Sequence, residues 1–240
     1  MAILTLAMTF LVIAFVSALT TGKYPISLAD LCAGEPMAVR TFTVLRLPRA
    51  LMGLVGGFGL GVAGFVYQTV FRNPLASPDI IGVSSGASAG AAFAILFISA
   101  ASPSTTVFAF IGGLLAVCLS LGLTALSPVK EHSSIVLAGI AVHALAQTFL
   151  MVLKLMADPE KQLASIEYWI MGSLNGVSAK RAGGNLLVCI ACLLLLFFLH
   201  RHLILLSAEE SEAKMLGVSV GKVRLAVLLI AFFDFDFVVI

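Results

Sequence analysis

Charge is what this sequence has least of. Only 11% of its 240 residues are charged, with 14 Lys and Arg against 12 Asp and Glu. A chain that is 60% hydrophobic, with a mean hydropathy of +1.12, cannot bury its apolar side chains in a soluble core and still present a polar surface. The net charge of +2 is too small to suggest nucleic acid. Cysteine is sparse as well: Cys32, Cys118, Cys189 and Cys192 sit mostly inside apolar runs, a pattern that supports neither a disulfide framework nor a zinc site. The Cys189–Cys192 pair has no polar residue beside it and reads as packing. No basic segment precedes the first apolar run and no small-x-small cleavage site ends it, so Met1 to Gly22 reads as a retained span rather than a secretory signal. The stretch "LGVSVGKVR" is not a phosphate loop, because only three residues separate Gly217 from Gly221 and Val223 follows Lys222. No span carries paired carboxylates of the kind a proton-coupled carrier uses. No His, Cys or carboxylate cluster has metal-ligand spacing.

What remains is an integral membrane protein. A span takes about 20 residues plus a connection, so the length suggests roughly six or seven crossings. Uncharged windows run from Met1 to Gly22, Ala50 to Phe71 and Ile80 to Val129, the last divided in two by "ASPSTT" at Ala101 to Thr106. Further windows cover Ser133 to Leu153 and Ala182 to Leu199, and a seventh begins near Leu225. Between the fifth and sixth, Tyr168 and Trp169 suit an interfacial segment. His143 and Gln147, one helical turn apart, either bond a neighbouring helix or line a path.

Small residues carry more information than hydropathy does. Gly53, Gly57 and Gly61 recur every four residues in the second span, and Gly82, Gly86 and Gly90 do so in the third. That spacing lets backbones approach closely where lipid supplies no hydrophobic drive, and it predicts that both helices lie inside a bundle. Between them, "FRNPLASPDIIG" breaks the apolar pattern. Pro74 and Pro78 each remove a donor and disfavour helix at the residue before, so the second span stops near Asn73. Asn73 and Asp79 are candidate caps for the backbone ends exposed there.

Lysine and arginine counts do not orient the chain, since alternating connections collect eight on one side and six on the other. The sharpest cationic feature is "RLPR", Arg46 to Arg49, at the mouth of the glycine-rich second span. Snorkelling to the interface and recognition of a partner's carboxylates both account for it. After the sixth span, Leu203 to Arg224 alternates apolar residues with an acidic cluster, with Gly217 placed to end a short helix. The acids argue against an anionic membrane surface and for a protein partner.

The stretch from Arg46 to Gly90, with "IVLAGIAV", "YWIMGSLNGVS" and "LILLSAEESEAKMLGVSVGKVR", closely resembles the permease subunits of bacterial ATP-binding cassette importers for iron-siderophores, haem and cobalamin. The resemblance implies an all-α polytopic helix bundle in the bacterial cytoplasmic membrane, with a cytoplasmic amino terminus, no cofactor, and no ATP hydrolysis or metal chemistry in this chain. The partners it implies are an ATPase subunit, a periplasmic or lipid-anchored substrate-binding protein, and a second permease. By this match Arg46 and Arg49 dock the binding protein. Gly53, Gly57, Gly61, Asn73, Pro74, Gly82, Gly86 and Gly90 shape the packed helices of the pathway. Leu206, Glu209, Glu210, Ala213, Leu216 and Gly217 couple to the ATPase, within a loop of about residues 203–224. The family has ten spans, of which six or seven are expected here in a single partial domain, 1–240. Asp234 and Asp236 fall where the seventh span should continue, at roughly 3 kcal/mol each if centred in lipid. The expectation is a shortened permease for an iron-siderophore; the alternatives are a non-functional or accessory fragment of one, or a cobalamin or haem permease.

Overall fold

The structure is a computed structural model that describes residues 1–100, 102–126, 133–177, 179–207, 223 and 225–232. Among these residues every regular element is helical. The chain forms two compact units, residues 1–58 with 174–188, and residues 59–173 with 189–240.

The first unit opens with α1 (Ala2–Thr20), an apolar helix with no buried residue. A capping box then starts the short α2 (Leu28–Cys32): the Ser27 hydroxyl accepts from the Ala29 N–H at 3.2 Å, and the Asp30 carboxylate accepts from the Ser27 N–H at 3.1 Å. Gly34, at φ 73°, supplies the left-handed turn that ends it, and Pro36 opens α3 (Pro36–Arg40) at the position where a missing donor costs nothing. One π-helical turn (Thr41–Arg46) leads into α4 (Leu47–Phe71). Its cause is local. Pro48 has no N–H and its ring crowds the carbonyl one turn back, so the helix widens until the Leu47 N–H reaches the Phe42 carbonyl.

In the second unit α4 ends at Phe71 in a left-handed cap. Arg72 has φ 48°, and the Arg72 and Asn73 N–H groups donate back to the Thr69 and Gln68 carbonyls at 3.4 and 3.2 Å. Asn73 then caps the turn as its side chain predicts, with Oδ1 accepting from the Leu75 N–H at 2.9 Å. Asp79 does not do the corresponding work; the Ser77 hydroxyl accepts from the Ile80 N–H instead, at 3.2 Å. Gly82, at φ 93°, sets the start of α5 (Val83–Phe97), so the third span is shorter than its apolar window, which began at Ile80. The helices α6 (Ser102–Leu126) and α7 (Ser133–Met156) follow, and then α8 (Gln162–Met171), ten residues that carry Tyr168 and Trp169 and are too few to cross a bilayer.

The helix α5 is the hub of this unit, touching α6, α7 and α8. Ile166 and Leu163 of α8 pack with Ala89, Ala92 and Ile95 of α5 and with Leu150 and Leu153 of α7. After α9 (Ala179–Phe198), which contributes residues to both units, comes α10 (His200–Ser207). Residues 225–232 are helical, and Val227, Leu228, Ala231 and Phe232 are buried with Tyr67, Val70 and Ile81. Thus the seventh apolar run begins where the hydropathy placed it. Among the described residues four helices are long and apolar enough to cross a membrane, and α5 and the 182–198 part of α9 are shorter apolar ones. The architecture is the expected all-α bundle.

Candidate functional site

Two constellations stand out, one in each unit. In the first, the break in the α-helical ladder just ahead of Pro48 precedes α4 by one turn and brings Arg46 against the carboxyl end of α1. Its Nη1 donates to the Leu19 and Thr20 carbonyls at 2.9 and 2.7 Å, and its Nη2 donates to the Tyr24 carbonyl. The first two are carbonyls that the end of α1 leaves without internal donors, at the negative end of its dipole, and the third belongs to the connection that follows. The side chain is only 8% exposed. Gly22 lies close beside it: a Cβ there would stand 2.7 Å from Nη2 and 3.1 Å from Cζ, so a larger residue would have to push the guanidinium aside. Arg49 is half-buried, one turn further along. The two arginines expected to act as a docking pair are therefore unequal: Arg46 is turned inward to hold α1. Sequence spacing could not show this, since the acceptors are backbone carbonyls more than 20 residues away.

In the second unit the helices α5 and α6 meet backbone to backbone. A Cβ on Gly90 would stand 2.0 Å from the Phe108 carbonyl oxygen, one on Gly86 would stand 2.6 Å from the Gly112 oxygen, and one on Gly112 would stand 2.2 Å from the Gly86 oxygen. Gly112 was not singled out from the sequence, although "IGGLLA" carries the same small-residue signal. Around this seam, the turn before α5 presses on α7: a Cβ on Gly82 would stand 3.2 Å from the His143 backbone nitrogen, and one on Gly139 would stand 2.9 Å from the Ile81 Cα. The buried Ser120 hydroxyl donates across to the Ile81 carbonyl at 3.0 Å. Ala87, Ala91 and Ala109 are buried, with Trp169 of α8 lying against them.

The glycines of α4 behave differently. Nothing among the described residues comes within 4 Å of a Cβ on Gly57 or Gly61, and Gly53 meets only the tip of Leu174 at 3.9 Å. The same four-residue spacing thus marks a close approach in α5 and an open face in α4; the close approach expected of the α4 glycines is not seen among the described residues, although the same helix buries Ala63, Val66, Tyr67 and Val70 further along. Pro74 sits in the turn as expected. His143 is half-buried, its Nδ1 has no hydrogen-bond partner among the described residues, and Gln147 is exposed, so the helix-to-helix bond is not seen. Of the coupling residues, Leu206 falls in α10; Glu209, Glu210, Ala213, Leu216 and Gly217, like Asp234 and Asp236, lie outside the described residues.

Helices of this length and apolarity, packed through glycine, are those of a polytopic membrane protein. The chain belongs to the FecCD transport family, whose profile matches residues 10–238. It is 32% identical over 234 residues to the molybdate import system permease protein MolB of Haemophilus influenzae, covering 92% of this chain and 68% of that protein. It is 34% identical over 189 residues to the ferric enterobactin transport system permease protein FepG of Escherichia coli, covering 79% and 57%. With the cobalamin import system permease protein BtuC of Halobacterium salinarum, identity is 32% over 207 residues, covering 85% and 55%. The chain thus spans between about half and two thirds of the length of these relatives. A solved structure described as a metal-chelate type ABC transporter in an inward-facing conformation superposes with a TM-score of 0.81 at 31% identity, over 99% of this chain and 74% of that one.

Proposed function

We propose that this chain is the permease subunit of an ATP-binding cassette importer in the bacterial cytoplasmic membrane, with an iron-siderophore complex as cargo. The observation that carries the reading is the family match across residues 10–238, supported by the superposition on a metal-chelate type transporter. FepG favours an iron chelate; MolB and BtuC make molybdate and cobalamin the competing cargoes. Hydrolysis of ATP belongs to a separate subunit in this reading, and a second permease completes the pathway. The amino terminus faces the cytoplasm, which puts the Arg46–Arg49 end of α4 outside and the turn at residues 72–82 inside.

On that orientation Arg49 is the stronger candidate for meeting carboxylates of a substrate-binding protein, with Arg46 supporting it by fixing α1. In this reading Leu206, Ala213 and Leu216 supply the apolar contacts with the ATPase, Gly217 ends the segment, and Glu209 and Glu210 steer it. The test is uptake into proteoliposomes containing this chain, the partner ATPase and the binding protein, with iron-siderophore, cobalamin and molybdate offered in turn. ATP-dependent accumulation of the iron chelate is expected. Accumulation of only cobalamin or molybdate overturns the cargo, and none of the three overturns the transport reading. Leu216→Glu should abolish co-purification of the ATPase, while Glu210→Gln only weakens it; equal effects would refute the division of roles.

A further inference from the structure

The middle of α7 carries two polar side chains that find no hydrogen-bond partner among the described residues. His143 and Gln147 stand eleventh and fifteenth in its 24 residues, near the centre of a helix about 36 Å long. The Nδ1 of half-buried His143 is itself buried and unbonded, and the Gln147 amide is exposed and unbonded. An amide that met only hydrocarbon would give up the hydrogen bonds it makes in water and receive none in exchange. This edge of α7 therefore does not face lipid.

Helical register extends the edge in one direction only. Lys154 follows Gln147 by seven residues, two turns along the same face, and pairs with Glu167 of α8 at 2.9 Å, both side chains partly exposed. In the other direction Gly139 and Val136, one and two turns before His143, are buried against Ile81 and its cluster. The open polar edge thus runs from Lys154 to His143, about 16 Å or half the roughly 30 Å hydrocarbon thickness of a bilayer, and ends on packed backbone. The far side of the same helix is different. Leu145 and Phe149, each more than half a turn from Gln147, line a groove of about 410 Å³ to which no polar side chain contributes, and that side suits lipid.

We propose that the His143–Gln147–Lys154 edge borders a water-filled cavity reaching the middle of the membrane, and that His143 and Gln147 at its floor are hydrogen-bonding contacts for the organic shell of the cargo. A second helix laid along this edge would strip water from the Lys154–Glu167 pair, at the cost that attends any buried ion pair. Water imposes no such cost. An amide and an imidazole complement the carbonyl and hydroxyl groups of an organic chelate. A compact oxyanion calls instead for cations, and Lys154 is engaged by Glu167. The cavity stands without the importer reading; the cargo contact rests on it.

The cavity is tested by cysteine accessibility in the full chain, with Cys32, Cys118, Cys189 and Cys192 replaced by alanine, in open membrane fragments. A charged thiol reagent, which hydrocarbon excludes, should label Gln147→Cys at least about tenfold faster than Leu145→Cys or Phe149→Cys. Equal rates overturn the cavity, and so does an inert Gln147→Cys that forms a disulfide between two copies, which makes the edge a helix contact. The cargo contact is tested by uptake of the iron-siderophore into proteoliposomes holding the chain, its ATPase and the binding protein. Gln147→Leu and His143→Leu should each raise KM about fivefold, the worth of one hydrogen bond, with co-purification of the ATPase and the melting temperature unchanged. An unchanged KM in both variants overturns the contact. If the native assembly carries no cargo at all, the importer reading and the cargo contact fail together while the labelling contrast still decides the cavity.

Discussion

Replacing Gly90 by alanine places one methyl group 2.0 Å from the Phe108 carbonyl oxygen. Ordinary contact begins at 3.4 Å, so the helices α5 and α6 must part by up to 1.4 Å at that point. The obstacle is backbone on both sides, and no rotamer change relieves it. A radial gap of 0.5–1 Å already forfeits a quarter to a half of each dispersion contact, and overpacking of this kind costs about 1–3 kcal/mol, here toward the upper end. For a chain of this length about 3 kcal/mol corresponds to a fall in Tm of roughly 6–12 °C. The control is Gly57→Ala, where nothing among the described residues lies within 4 Å; the gain in helix propensity should leave it neutral or stabilised by about 0.5–1 kcal/mol. Both variants are measured by thermal unfolding of the detergent-solubilised chain. If Gly90→Ala and Gly57→Ala melt within about 2 °C of each other, the close approach is not what the glycine serves.

Other consequences are as direct. Arg46→Met removes the donors from the Leu19, Thr20 and Tyr24 carbonyls and should cost roughly 2–4 kcal/mol, read as faster tryptic cleavage at Lys23. Ile166, 1% exposed on α8, should cost about 2–5 kcal/mol on truncation to alanine, whereas Tyr168, 58% exposed on the same helix, should cost less than about 0.5 on the same unfolding assay. The proposed orientation predicts that cysteine at Glu160 reacts with an impermeant thiol reagent in intact cells and that cysteine at Leu75 does not; the opposite pattern inverts the topology. The 2.9 Å pair of Lys154 and Glu167 is partly exposed, so Glu167→Gln should change stability by less than about 1 kcal/mol, and by less still at high salt.

The spans were legible because hydropathy needs no knowledge of neighbours. The apolar windows ending at Phe71 and near Leu153, and the run beginning near Leu225, correspond to α4, α7 and the helical residues 225–232. The turn after α4 was legible too, since Pro74 forbids helix ahead of it, whatever packs there. What failed was any inference that depended on a face. Gly53–Gly57–Gly61 and Gly82–Gly86–Gly90 have identical spacing, yet spacing only permits approach and does not say whether another backbone comes. Arg46 failed for the opposite reason: its acceptors are main-chain oxygens, present at every residue and invisible as a motif. The Ser77 cap was missed because two oxygens stood two residues apart and the sequence does not rank them.

The glycine seam between α5 and α6 bears on mechanics. An interface made of side chains can yield in small steps, as rotamers hop and methyl groups slide past one another. Where carbonyl oxygens meet the places side chains would occupy, no such intermediate arrangements exist. The two helices can be together at this distance or apart, and separation exposes a surface with almost nothing on it to pack elsewhere. The pair should therefore travel as a single strut, with the turn at residues 72–82 and α8 as its neighbours in the fold.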